Sequence, residues 1–327
     1  MTPSPLAPAT LLTRPLTRRQ GMRSLAALTT AVLSTGALAS CGTGAGSGSE
    51  EIVFAAVPAE SSQSLEQTFG HIVALLEKAT GRPVTFQNAS DYAAVIEGQR
   101  AGKIDIASYG PFSYVIAKDS GIALEAVVAP THEEGVAPAY TSLCYTREGS
   151  GIASLADLAG KKVAFVDKAS TSGYLVPMKG LMDAGLAIGT DLTEVLAGGH
   201  DASLLALASG EVDAAFAHDT MIATLEESEQ VEPGALVSIW ESEPIPEDPI
   251  ALNTTTLDAG TIETIRTALQ TTANKPALVA EGICASEEEC ALPEEIEWGY
   301  APVTDADYAP IRALCAATDA EACQAVS

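Results

Sequence analysis

FVDKASTSGYLVP, residues 165–177, changes character at its middle. Phe165 to Asp167 end an apolar run of the kind that forms a buried strand. Ser170, Thr171, Ser172 and Gly173 follow, and then apolar residues resume and meet Pro177. Strand, hydroxyl-rich turn and helix, in that order, is the building unit of an α/β protein. Pro177 has no N–H and fits near a first helical turn, which puts 170–176 at the loop-to-helix entry. The first N–H groups of a helix lack carbonyl partners and carry the positive end of its dipole. Three hydroxyls and a glycine there suit an oxyanion, or serve as a plain N-cap.

The same alternation extends in both directions. IVFAAVP (52–58), VTFQNA (84–89) and IDIASYG (104–110) read as strands, SLEQTFGHIVALLEKATG (64–81) as one helix closed by glycine, and the stretch from Tyr92 to Gly102 as a shorter one. LEAVVAP and AYTSLCYT add two strands, the second leading out of this first lobe. KKVAFVD, LTEVLAG and VDAAFAH are strands of a second unit beginning near Gly149. The helix after the hydroxyl run sets Leu175, Met178, Met182 and Leu186 on one face. The pattern predicts largely parallel strands in two α/β lobes with a cleft between them, joined by two crossing strands. Lobe 1 is expected over 51–147 and 248–327, closed off by the C-terminal helices, and lobe 2 over 148–247. No fixed-period repeat occurs.

An apolar content of 47% with 18% charged residues describes a chain with a full core. Residues 1–40 are set apart. Arg14, Arg18, Arg19 and Arg23 precede an apolar stretch, Leu25 to Leu38, too short for a membrane span, and Leu38-Ala39-Ser40-Cys41 has the order of a lipobox. A signal peptide over 1–40, lipidation at Cys41 and a flexible tether over 41–50 are therefore expected, with the outer face of the cytoplasmic membrane as the location and Sec or Tat export both open. Removing those four arginines from 17 basic residues, and none of the 43 acidic ones, takes the formal charge from −26 to −30. Nucleic acid and anionic lipid surfaces are poor partners for such a surface.

Export permits disulfides. Once Cys41 is assigned to lipid, five cysteines remain. Cys284, Cys290, Cys315 and Cys323 allow three pairings, of which the local ones, Cys284 with Cys290 and Cys315 with Cys323, are preferred. Cys144 sits in an apolar run as a buried thiol. No spacing suggests zinc, and neither metal nor cofactor is expected.

Several stretches together are similar to the substrate-binding proteins of phosphate/phosphite/phosphonate ABC transporters, over nearly the whole chain after the leader. They are ASDYAAVIEGQRAGKIDIASYGPFSYV (89–115), FVDKASTSGYLVP, LAGGHDASLLALASGEVDAAF (196–216), IPEDPIAL (245–252) and WGYAPVTDADYAPIR (298–312). The resemblance implies a type II periplasmic-binding-protein fold, capture of a small phosphorus oxyanion by lobe closure, and a membrane permease as partner. It implies that Ser170, Thr171 and Ser172 form an oxyanion triplet, that Tyr92, Tyr140 and His200 line the pocket, and that Asp248 faces the other end of the ligand. A further acid follows the VDA strand in the family; here that place falls to Asp219 or to Thr220.

The residue chemistry is compatible. Six of the eight tyrosines lie between 92 and 174, where a ring with a hydroxyl suits an enclosed polar ligand, although Tyr109, Tyr114 and Tyr145 read as core. A carboxylate repels a bare dianion, yet accepts a hydrogen bond from P–OH or pairs with an ammonium. Glu60 is a further cleft candidate from its loop position. A hydrolase using Ser170 or Ser172 with His200 and an aspartate is the rival, without a G-x-S-x-G elbow to support it. A ligand-sensing receptor domain without transport is the third alternative.

Overall fold

Ile52–Ala56 (β1) alternates sides in a way that decides the packing of the first lobe. Ile52, Phe54 and Ala56 enter one apolar cluster and Ala55 the other, as the two-residue period of a strand requires. The computed structural model describes residues 51–293, 296–318 and 320–324. The expected signal peptide, tether and Cys41 lie outside them.

The stretch from 64 to 81 is two helices, Ser62–Thr68 (α1) and Gly70–Thr80 (α2), not one. The chain turns at Phe69, whose ring stacks on Phe86 at 5.3 Å and meets Phe54 edge-on at 5.1 Å. Such aromatic pairs add about 0.5–1.5 kcal/mol beyond area burial, comparable with the helix bonds lost at the break. Val84–Asn88 (β2), Tyr92–Arg100 (α3), Ile106–Ser108 (β3), Pro111–Asp119 (α4) and Leu124–Thr131 (β4) follow. Ala139–Tyr140 (β5) leaves the lobe, and Ser142–Arg147 (β6) enters the second.

There the chain forms Lys162–Phe165 (β7), Val176–Asp183 (α5), Thr193–Leu196 (β8), His200–Ala208 (α6), Ala214–His218 (β9), Met221–Glu227 (α7) and Leu236–Glu241 (β10). Ile245–Pro246 (β11) runs back antiparallel to β5, with Ile245 opposite Tyr140. This two-stranded ribbon is the pair of crossings between lobes. Ile250–Asn253 (β12), Ala259–Thr272 (α8), Lys275–Ala280 (α9), Gly299–Pro302 (β13) and Ala309–Thr318 (α10) complete the described helices and strands apart from short turns and a last helical turn.

The sheets have strand orders β13-β4-β12-β3-β1-β2 and β10-β6-β9-β7-β8. The expectation of largely parallel strands does not hold. β1 is parallel to β2 and β3, but β12 is antiparallel to β3 and β4, and β6 is antiparallel to β9 and β10. Two of the reversed strands, β6 and β12, are those next to the crossings and enter their sheets from the opposite end; the edge strand β13, antiparallel to β4, is reversed as well. Hydrophobic periodicity carries no strand direction, so the sequence could not reveal this.

Two further expectations are corrected. Met182 is 44% exposed, so the apolar face of α5 rests on Leu175, the half-buried Met178 and Leu181. Helix α10 does not merely close lobe 1, because Ile311 and Leu314 share a cluster with Val176 and Met178 of lobe 2. Arg312 ties the same helix to lobe 1 through Asp119 (2.7 Å) and Asp305 (2.9 Å). Disulfides join Cys284 to Cys290 and Cys315 to Cys323, and Cys144 is a buried thiol whose pKa burial raises. No described helix is long and apolar enough to cross a membrane.

Candidate functional site

A small chamber lies where the lobes meet, and helix starts surround it. Tyr92 is the first residue of α3, held there because Asp91 caps the helix by accepting from Ala94 N–H at 2.7 Å. Gly110 is the N-cap of α4, and His200 opens α6 behind Gly199. Ser170, Thr171 and Ser172 precede α5. Residues of both lobes thus bring four helix N-termini to one point. Each carries about half a positive charge, and no described Lys or Arg lines the chamber.

The hydroxyl run takes a wide turn over Thr171–Leu175, with Leu175 N–H bonding back five residues to Ser170 carbonyl at 3.1 Å. Turns of this kind recur at functional sites. Ser170 Oγ accepts from Gly173 N–H at 3.1 Å, so this residue is a true N-cap as well as a chamber wall. Thr171 Oγ1 accepts from Phe112 N–H of lobe 1 at 2.8 Å, and Ser142 Oγ donates to Ser172 carbonyl at 2.6 Å. All three residues are 2% exposed. The glycine is needed for space. A Cβ at Gly173 would lie 2.3 Å from Val166 Cγ2 and 2.8 Å from Ser170 Oγ.

Across the chamber, His200 N–H donates to Ala59 carbonyl at 2.7 Å, a second hydrogen bond between lobes. His218 N–H donates to His200 Nδ1 at 3.1 Å, which leaves neutral His200 with its proton on Nε2. Burial, reinforced by the neighbouring His218, holds the His200 pKa well below the usual range, so the ring is a neutral donor at pH 7. Tyr140, on the crossing β5, and Asp248, just past the crossing β11, complete the wall.

Of the residues named from sequence, Tyr92, Tyr140, Ser170, Thr171, Ser172, His200 and Asp248 share this chamber. Asp219 does not. Its Oδ2 accepts from Thr141 N–H at 2.9 Å and from Thr141 Oγ1 at 3.0 Å, and it lines an adjoining pocket with Thr220 and Glu247. One step along an extended chain reverses the side chain, so an offset of a single residue moves this acid away from the chamber. Glu60 accepts from Ser64 Oγ at 2.6 Å and lines another neighbouring pocket. The rest of the tyrosine cluster is packing: Tyr109 donates to Gln99 and Tyr114 to Asp305, each at 2.9 Å.

Three lining residues escaped the sequence argument: Ala59, Gly110 and His218. His218 was legible in one respect only. It is a polar residue at the carboxyl end of a strand that neighbours a parallel strand, where ligands of α/β sheets bind. The arrangement cannot easily work as a Ser-His-Asp triad, because His200 Nδ1 takes a backbone N–H where a triad histidine would donate to a carboxylate. As a whole, the chamber offers neutral donors from both lobes and one lining carboxylate, a set fitted to holding a partly protonated oxyanion.

A family model described as ABC transporter, phosphonate, periplasmic substrate-binding protein matches residues 54–308. The Phosphate-import protein PhnD of Mycolicibacterium smegmatis is 40% identical over 284 residues, covering 84% of this chain and 88% of that one. Among solved structures, a binding-protein component of an ABC phosphonate transporter from Pseudomonas aeruginosa is 26% identical, with TM-score 0.72 over 85% of this chain and 89% of its own. PhnD1 of Prochlorococcus marinus, solved in complex with methylphosphonate, shares the fold at 16% identity and TM-score 0.69, over 82% of this chain and 98% of its own.

Proposed function

The chain belongs to the family of periplasmic substrate-binding proteins of phosphonate ABC transporters, and from that premise we propose that its chamber captures a small phosphorus oxyanion: phosphonate, phosphite or phosphate. Capture works by closing two lobes on the ligand for delivery to a membrane permease. The observation that carries this is the convergence of four helix starts and the Ser170–Thr171–Ser172 run on one buried chamber. A charge-assisted hydrogen bond contributes about 1.5–3 kcal/mol, so a few such donors outweigh the repulsion of a screened net charge of −30 on the chain without its leader.

Ser170, Thr171, Ser172, Tyr92, Tyr140 and His200 act as donors in this reading, and Asp248 accepts a hydrogen bond from a P–OH group. Asp219 fixes the start of β6 to the end of β9 and takes no direct part. In this reading the protein binds without turnover, as expected of a substrate-binding component of a transporter. Cys41 carries a lipid anchor that holds the exported chain on the outer face of the cytoplasmic membrane, in reach of the permease.

Calorimetry with phosphate, phosphite, methylphosphonate and 2-aminoethylphosphonate tests the assignment. Micromolar or tighter binding to at least one, with no phosphate released from the phosphonates, is expected; binding of none would refute it. Cys41→Ser should release the protein from membranes, and continued retention would count against the anchor.

A further inference from the structure

β9 ends on His218, which is 6% exposed and lies edge-on to His200 with ring centroids 4.5 Å apart. Its Nδ1 is 3.0 Å from Thr220 Oγ1. Its Nε2 is buried and makes no hydrogen bond. Buried polar atoms are almost always paired, so an unpaired nitrogen on a residue that lines a ligand chamber calls for a partner. With the Thr220 hydroxyl donating to Nδ1, a neutral His218 carries its proton on Nε2, as His200 does. The two rings then present the same kind of donor.

The carboxylates are arranged to match. Asp248 lines the chamber, whereas Asp219 is turned to Thr141 and lines the adjoining pocket with Glu247. Tyr140 and His218 line both spaces, and so form the partition between them. An ammonium group meets a mismatch at the His200–His218 end, because donors facing donors leave both unpaired.

We infer that His218 is a specificity-determining residue of this chamber: its Nε2–H donates to the bound oxyanion beside His200, and it selects amine-free phosphorus oxyanions over aminoalkylphosphonates. This rests on the proposed function and names the ligand class within it. Burial lowers the His218 pKa to about 4, with the nearby Asp219 opposing, which keeps the ring a neutral donor at pH 7. Neutrality lets it bond a monoanion or a dianion without adding a fixed charge.

The test is calorimetry on the full chain and on His218→Leu, His218→Gln and His218→Glu with phosphate, phosphite, methylphosphonate and 2-aminoethylphosphonate. The unaltered chain should bind at least one amine-free ion about a hundredfold more tightly than 2-aminoethylphosphonate. His218→Leu should weaken binding of that ion about tenfold to a hundredfold, the loss of one hydrogen bond to a charged group. His218→Gln, which keeps a donor and guards against a folding defect, should recover part of it. His218→Glu should reverse the preference toward the amine. Affinity for 2-aminoethylphosphonate equal to that for the best-bound amine-free ion would overturn the ligand class. Undiminished affinity in a folded His218→Leu protein would overturn the role of the residue. Binding of none of the four compounds would instead remove the proposed function itself, and this inference with it.

Discussion

Replacing Thr171 by valine isolates the energy of lobe closure. The Thr171 hydroxyl accepts from Phe112 N–H at 2.8 Å, and the two residues belong to different lobes and are 2% and 0% exposed. Valine keeps the shape and loses both the acceptor and the donor. In the closed state Phe112 N–H is then buried without a partner, at a cost of about 1–3 kcal/mol, and the ligand loses a charge-assisted bond worth about 1.5–3 kcal/mol. At about 1.4 kcal/mol per decade, affinity for the best-bound phosphorus oxyanion should fall by roughly two to four powers of ten. In the open state water reaches Phe112 N–H, so each lobe keeps its stability and the ligand-free melting temperature should move by no more than about 2 °C. Thr171→Ser should restore most of the affinity. Calorimetry and thermal unfolding measure the two quantities on one preparation. An affinity within threefold of the unaltered protein, or a loss of ligand-free stability as large as the loss of binding, would refute the reasoning.

Three other outcomes are expected. Gly173→Ala must push the hydroxyl turn away from Val166 and Ser170, costing about 1–3 kcal/mol in thermal or urea unfolding together with ligand affinity; a neutral result would mean that the turn yields. The buried histidines should make stability depend on pH. Their folded-state pKa values are depressed, to about 4 for His218 and well below the ordinary value for His200, so their contribution is complete above pH 6.5 and falls as acid protonates the unfolded chain first. Urea midpoints should record a loss of about 2 kcal/mol from His218 at pH 5 relative to pH 7, with a further loss in the same direction from His200, and His218→Gln should remove its share of the slope. Reducing the six-residue Cys284–Cys290 link should lower stability by about 2 kcal/mol, and an unchanged melting temperature in dithiothreitol would show that the segment is held by packing alone.

Most of the chamber could be read before any coordinates because its residues sit at helix starts, where sequence punctuation is strongest. Asp91 before Tyr92, the hydroxyl run before Pro177 and Gly-Gly before His200 all announce a helix entry with free N–H groups. His218 gave no such announcement. It closes the strand AAFAH, where four apolar residues hide one polar terminus, and its role depends on a neighbour 18 positions away. Asp219 was misplaced for a related reason, since motif alignment fixes a position along a strand end but not the side to which it turns. Strand direction escaped altogether. The strands beside the crossings, β6 and β12, run against the parallel set, as does the edge strand β13, and no local pattern records the direction from which a strand enters.

Helix α10 gives lobe motion a temperature coefficient. Its Arg312 is bonded to lobe 1, while Ile311 and Leu314 press on Val176 and Met178 of lobe 2. Separating the lobes must therefore wet part of this apolar contact, which makes opening a miniature unfolding event with a positive heat-capacity change. Apolar association weakens on cooling, so the closed form loses part of its support in the cold. A receptor built in this way should release its cargo more readily at low temperature, through an apolar contact that reaches the ligand-binding turn by the Val176 N–H bonded to Thr171 carbonyl.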